Sequence, residues 1–174
     1  MSQPLIMSFR PDAAAMCLDG RKTMTRRIWK DGMSTITGFR QEKRANGELI
    51  LIPCQNICGI GKPGGGRLLW HTGSSIAIKP KRAACAVGRV MCTGLRVEHV
   101  QNISEEDARR EGVEPVWFDS AIMQDDGHFD VKSYRSGFEN VWKRLNAAFL
   151  SPHNWDSNPL VVVIEFRPLK EGEK

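Results

Sequence analysis

The chain has 174 residues, 41% of them hydrophobic and 26% charged, with a formal net charge of +5. That length and balance fit one soluble domain burying its own core, and no apolar run approaches the ~18–20 residues that a membrane-crossing helix needs. The charge is uneven: residues 1–100 hold 16 Lys/Arg against 6 Asp/Glu, and residues 101–174 hold 9 against 14. A basic first half points to an anionic partner, whether nucleic acid, nucleotide or simple phosphate.

The opening residues Met1 to Met7 lack the charged and long apolar regions of a signal peptide, so a cytoplasmic protein is expected. There, Cys17, Cys54, Cys58, Cys85 and Cys92 are expected as reduced thiols rather than disulfides. Cys54, Cys58 and His71 offer at most three zinc ligands, where structural sites use four. Neither a metal nor another cofactor is expected.

In chain order, Leu5-Ile6-Met7 reads as a short strand. Pro11 suits a first helical turn, residues 12–18 a short helix, and Gly20 its left-handed cap. The basic run Gly20 to Arg27 therefore emerges from a helix end, on a loop or a strand start. Residues 31–66 are rich in Gly, Lys, Arg and Asn, with one convincing strand at 48–53. Lys62-Pro63-Gly64-Gly65-Gly66 lacks the Gly-Lys-Ser/Thr ending of a phosphate-binding loop. Residues 67–71 and 75–78 suit two further strands.

Residues 86–100 form a long β-like segment, with Gly88 and Gly94 placed for bends or bulges. Lys79-Pro80-Lys81-Arg82 is a solvated loop or a phosphate contact. Ser104 is an N-cap with acids in the first turn behind it, and Gly112 closes that helix. Residues 114–133 read as an acidic, irregular excursion. Tyr134 to Leu150 has helical spacing, with Phe138, Val141, Trp142, Leu145 and Phe149 on one face. Asn158-Pro159 then delivers the strand Leu160 to Phe166. Short strands with three separate helices predict an α+β fold: a small, curved β-barrel with peripheral helices.

Gly20-x-Lys22-x-x-Thr25-x-Arg27 resembles the signature of the ASCH domain, a relative of the PUA fold, with threonine where many members carry glutamate. In this form it is similar to an ASCH branch that removes the acetyl group from N(4)-acetylcytidine. The segments 104–112 and 155–166 extend the resemblance, the latter towards larger, phage-associated ASCH proteins. It implies a single ASCH domain over residues 1–174, with insertions at about 31–66 and 114–158. It also implies a metal-independent amidohydrolase with Thr25 as nucleophile, Lys22 as proton acceptor and Glu111 as proton donor. The substrate is then a small nucleoside with an acylated exocyclic amine. The alternative is a non-catalytic module that binds RNA or a nucleotide. No membrane partner is expected, and the oligomeric state is open.

The chemistry places its own demands. A threonine hydroxyl needs a neighbouring base, and a lysine serves only when neutral, which burial or nearby positive charge favours. Arg26 and Arg27 are candidate sources of that charge and candidate substrate ligands. On a helix Lys22 and Thr25 share a face, whereas in a strand they point oppositely, so direct contact requires a turn or kink. Trp117 and Trp155 lie in loop-like segments where a ring can stack on a base. Trp142, on an apolar helix face, is expected in the core, and the four histidines form no spaced ligand pair.

Overall fold

The computed structural model describes residues 5–28, 36–45, 49–57, 60–63, 71–119, 130–146 and 153–173. Five strands form the main sheet: β1 (Leu5–Phe9), β2 (Met24–Ile28), β6 (Ser75–Pro80), β7 (Gly88–His99) and β10 (Leu160–Pro168). Their spatial order is β1-β6-β7-β10-β2. β1 runs parallel to β6, and every other neighbouring pair is antiparallel. A second sheet comprises β3 (Ile36–Lys43), β4 (Leu49–Ile57) and β5 (Ile60–Pro63), and β8 (Val116–Asp119) pairs with β9 (Asp130–Ser133). The helices are α1 (Pro11–Asp19), α2 (Glu105–Arg110) and α3 (Tyr134–Leu145).

The curved barrel expected from the sequence does not form. Closure requires the first and last strands of the sheet to pair, but β1 and β2 are its two edges and the sheet is open. Two local expectations also change. Residues 31–66 contribute three strands instead of one, and the excursion 114–133 carries the β8–β9 pair. Residues 67–70 and 147–150, expected in a strand and a helix, lie outside the described residues, as does Cys58.

Side-chain alternation along β10 builds two cores, one on each face of the sheet. Val162, Ile164 and Phe166 pack with Met7, Phe9, Ile76, Ile78 and the α1 residues Ala14 and Cys17. Val161 and Val163 pack on the other face with Met24, Val100, Ile103, Ala108, Phe138, Trp142 and Trp155. The register with β7 shifts between Glu165 and Phe166, where Thr93 is the extra residue on β7, yet Phe166 keeps to the face of Val162 and Ile164.

The caps read from sequence are present. Gly20 takes the left-handed conformation at φ +83°, and the Ser104 side chain accepts the Asp107 N–H. One feature ties α2 to α3. The Glu105 carboxylate accepts Ser133 Oγ and the Tyr134 N–H, both at 2.7 Å, and the Arg135 N–H at 3.3 Å. An anion at a helix N-terminus is favourable. Desolvation pushes the Glu105 pKa up, but these hydrogen bonds outweigh it and leave the pKa below its ordinary value.

Gly137 is where α3 passes closest to the chain beside it, for a side chain there meets the Glu114 carbonyl oxygen at 2.0 Å. Gly137→Ala must move backbone rather than a flexible tip. The expected cost is about 1–3 kcal/mol or more, read as a lower midpoint in denaturant melts.

Candidate active site

The run from Gly20 to Arg27 leaves α1 through its left-handed cap and enters β2 only at Met24. Lys22 and Thr23 are thus outside the regular strand, and both are gripped by the C-terminus of α2. The Thr23 N–H donates to the Arg110 carbonyl at 3.0 Å. Lys22 Nζ donates to the Glu111 carbonyl at 2.5 Å and to Glu111 Oε2 at 2.7 Å. A helix C-terminus leaves its last carbonyls without intrahelical partners and favours cations there. Lys22 meets both needs with one ammonium.

This ion pair is buried: Lys22 and Glu111 are each 6% exposed. Burying two such charges costs several kcal/mol per ion before their attraction offsets it. The second carboxylate oxygen is also taken, because Glu111 Oε1 accepts Arg26 Nη1 at 3.3 Å. The sequence reading linked Lys22 and Glu111 through the family resemblance, and the structure brings their side chains into direct contact.

Strand alternation separates the two arginines. Arg26 stands opposite Val163 and Thr25 opposite Ile164, so Thr25 and Arg27 face the α1 side while Met24 and Arg26 face α2 and α3. The Arg26 side chain is wholly buried. It donates from Nε (3.0 Å) and Nη2 (2.5 Å) to Glu98 Oε1 and from Nη2 to Asp107 Oδ2 (2.9 Å), and its guanidinium lies 5.7 Å from the centroid of the Phe138 ring. Arg96 extends the network by donating to Glu98, Asp107 and Glu165, and Arg110 joins Glu165 to Thr23 Oγ1. Sequence reasoning missed these partners because Glu98, Asp107 and Glu165 come from three distant elements.

Arg27 is half-buried on the opposite face. Its guanidinium lies 4.7 Å from the centroid of the Phe9 ring, and Nη2 donates to the Ser8 carbonyl at 3.0 Å. Lys22 Nζ lies 5.9 Å from the centroid of the same ring. Phe9 therefore brings Lys22 and Arg27 to one side of β2, the side that Thr25 faces. Burial lowers the Arg27 pKa, against the opposing pull of Glu111 and Cys17. Burial raises the Cys17 thiol to about 11, against the opposing influence of Lys22 and Arg27. Cys17 is accordingly a protonated core side chain near neutral pH.

Thr25 is 2% exposed. Among the described residues no hydrogen bond joins its hydroxyl to Lys22, whose ammonium is engaged by Glu111. The turn demanded by the sequence exists, since Lys22 precedes the strand, but the amine points to α2. The two tryptophans part company: Trp117 is 61% exposed on β8 and Trp155 only 6%. Lys132 Nζ lies 5.9 Å from the centroid of the Trp117 ring. Trp155 packs edge-on to Phe138 in the core beneath Arg26, on the face opposite Thr25. Among the described residues no group of three His, Cys, Asp or Glu side chains is placed to hold a metal ion. No described helix is long and apolar enough to cross a membrane.

Gly112 allows the approach of Lys22 to α2. It has φ +73°, and an added Cβ meets Met16 Cε at 2.7 Å and Lys22 Cβ at 3.2 Å. Gly112→Ala is expected to cost about 1–2 kcal/mol in backbone strain alone and to displace Lys22 from Glu111. Thermal melts report the first effect. Loss of the Lys22–Glu111 contact in the crystal structure of the variant reports the second.

No family model and no curated protein matches the sequence. Two solved structures are similar. One is a point variant of ZmASCH from Zymomonas mobilis, at 12% identity and a TM-score of 0.41, covering 93% of this chain and 67% of that one. The other is a DUF984 protein from Enterococcus faecalis, at 14% identity and a TM-score of 0.48, covering 100% of this chain and 86% of that one.

Proposed function

We propose that the protein is an ASCH-type amidohydrolase that removes an acyl group from the exocyclic amine of an N(4)-acylated cytidine or a related nucleoside. The carrying observation is the buried Lys22–Glu111 pair directly before the strand that presents Thr25. Packed apolar side chains would hold this corner at least as well as an enclosed ion pair. A lysine and a glutamate enclosed together are two of the side-chain types that serve as general base and general acid. On this reading the whole chain is one ASCH domain, with the sheet at 36–63 and the β8–β9 pair as elaborations.

The 2.7 Å bond between Lys22 Nζ and Glu111 Oε2 supports an arming step. Moving one proton along it turns ammonium and carboxylate into amine and carboxylic acid, the two forms the chemistry requires. Thr25 Oγ then attacks the acyl carbon and its proton passes to the Lys22 amine. Glu111 donates its proton to the departing exocyclic amine, the carbon–nitrogen bond breaks, and a Thr25 ester remains. This restores the ion pair. Water next attacks the ester while Glu111 takes a water proton and Lys22 returns one to the Thr25 oxygen, releasing the carboxylic acid. Arg27, on the same face of β2, is the residue proposed to meet the substrate. The expectation is that Lys22→Ala and Thr25→Val each reduce cytidine release from N(4)-acetylcytidine to background. Unchanged turnover in either variant removes the mechanism.

The second reading, a module binding RNA or a nucleotide, is favoured by one observation. Trp117 is largely exposed with a lysine ammonium beside its ring, a pairing suited to a stacked base and its phosphate. Part of the basic excess is, however, already committed within the fold, because Lys22, Arg26 and Arg96 all pair with carboxylates. Trp117→Ala is expected to weaken single-stranded RNA binding by about 1–3 kcal/mol if this reading holds. A salt titration of wild-type binding that shows no retention at low salt argues against it.

A further inference from the structure

We infer that Arg26 is a positioning residue for Glu111 rather than a ligand of the substrate. The inference rests on the amidohydrolase reading for its kinetic consequence, but its geometry stands by itself. Arg26 is fully enclosed, and its guanidinium makes contacts to three carboxylates that come from β7, α2 and the residue closing α2. Two of them, Glu98 and Asp107, fix the plane of the fork. The third contact, Nη1 to Glu111 Oε1, then takes one oxygen of the carboxylate and leaves Oε2 directed at Lys22.

Rotation about the terminal bond of a carboxylate turns its plane, and at intermediate angles neither oxygen is in line with Lys22, so one torsion separates a productive Glu111 from an unproductive one. The Lys22 ammonium cannot settle that torsion, since a lysine is a point charge on a flexible stem. A planar guanidinium whose remaining N–H groups are already committed can. Arg26 thus locks the carboxylate plane that keeps one oxygen on the Lys22 amine. Because it lies on the face of β2 opposite Thr25, it does so without entering the space where the acyl group would sit. The neighbouring Arg27, one residue on and on the other face, carries the substrate role.

The deciding experiment is Arg26→Lys in the full chain, which keeps the buried positive charge but loses the fork. With folding verified by circular dichroism, kcat for N(4)-acetylcytidine is expected to fall about 10²-fold, the scale of a misplaced catalytic group, while KM stays within about twofold. A raised KM with unchanged kcat, or two unchanged constants, overturns the inference. Should this variant fail to fold, Glu98→Gln loosens the same guanidinium from the side remote from Glu111, and the same split is expected. A wild-type protein with no turnover defeats the amidohydrolase reading instead. Positioning is then read from the Lys22 ammonium in 1H–15N spectra. The signal is expected to be protected from exchange in the wild type and lost in Arg26→Lys, and persistence in the variant overturns the inference.

Discussion

The contact between the last turn of α2 and residues 22–24 is the constraint on which the rest of the site depends. One ammonium, that of Lys22, satisfies a helix-end carbonyl and neutralises the Glu111 side chain in the same stroke. One backbone N–H, that of Thr23, satisfies the carbonyl before it, and the Thr23 carbonyl accepts the Phe166 N–H of β10. The chain entering β2 is therefore pinned between a helix terminus and the main sheet before the first residue of the strand. Such pinning makes it possible for Lys22 to leave the strand's alternation and yet lie beside the face that Thr25 occupies.

The pinning is inherited from further away. α2 is only six residues long and cannot hold itself in place. Its first turn is anchored by Glu105 at the N-terminus of α3, and α3 in turn buries Phe138 and Trp142 against Met24, Val161 and Val163. A close approach at Gly137 sets the distance. The apolar face of α3, remote from any chemistry, thereby decides where the Glu111 carboxylate stands. Charge completes what packing begins, because Arg26, Arg96 and Arg110 stitch β2, β7, β10 and α2 together through Glu98, Asp107 and Glu165.

Local features of this arrangement were legible in the sequence because they have local causes. Glycines at 20 and 112 mark positive φ, serine at 104 marks a helix start, and the Val-rich run at 160–164 marks a buried strand. That the sheet stays open was not legible. Strand periodicity names the strands but not their order, and β1 finds its partner some seventy residues away in β6, in parallel. The same limit explains Arg26 and Arg27. Side by side in a basic run they look alike, and only the start of β2 at Met24 sends one inward among carboxylates and the other across to Phe9. Trp117 and Trp155 diverge for a related reason, since both lie outside helices but only Trp155 is folded beneath α3.

A final consequence concerns charge rather than shape. The surplus of cations in the first hundred residues suggested an anion-binding face, but a residue count treats every cation as available. In the folded chain Lys22 and Arg26 meet acids supplied by residues 98–111, and Arg96 and Arg110 meet Glu165 from near the C-terminal end. Acidic and basic parts of the sequence thus neutralise one another across the sheet. The electrostatics are concentrated in a cluster that is closed at Lys22, Arg26 and Glu111 and partly open to water at Arg96, Arg110 and Glu165. Charges in its closed part interact strongly because little water screens them, and a proton moved there changes the balance of its neighbours. That is a poor arrangement for recruiting a long polyanion and a good one for setting the protonation of two groups, an amine and a carboxyl, held 2.7 Å apart.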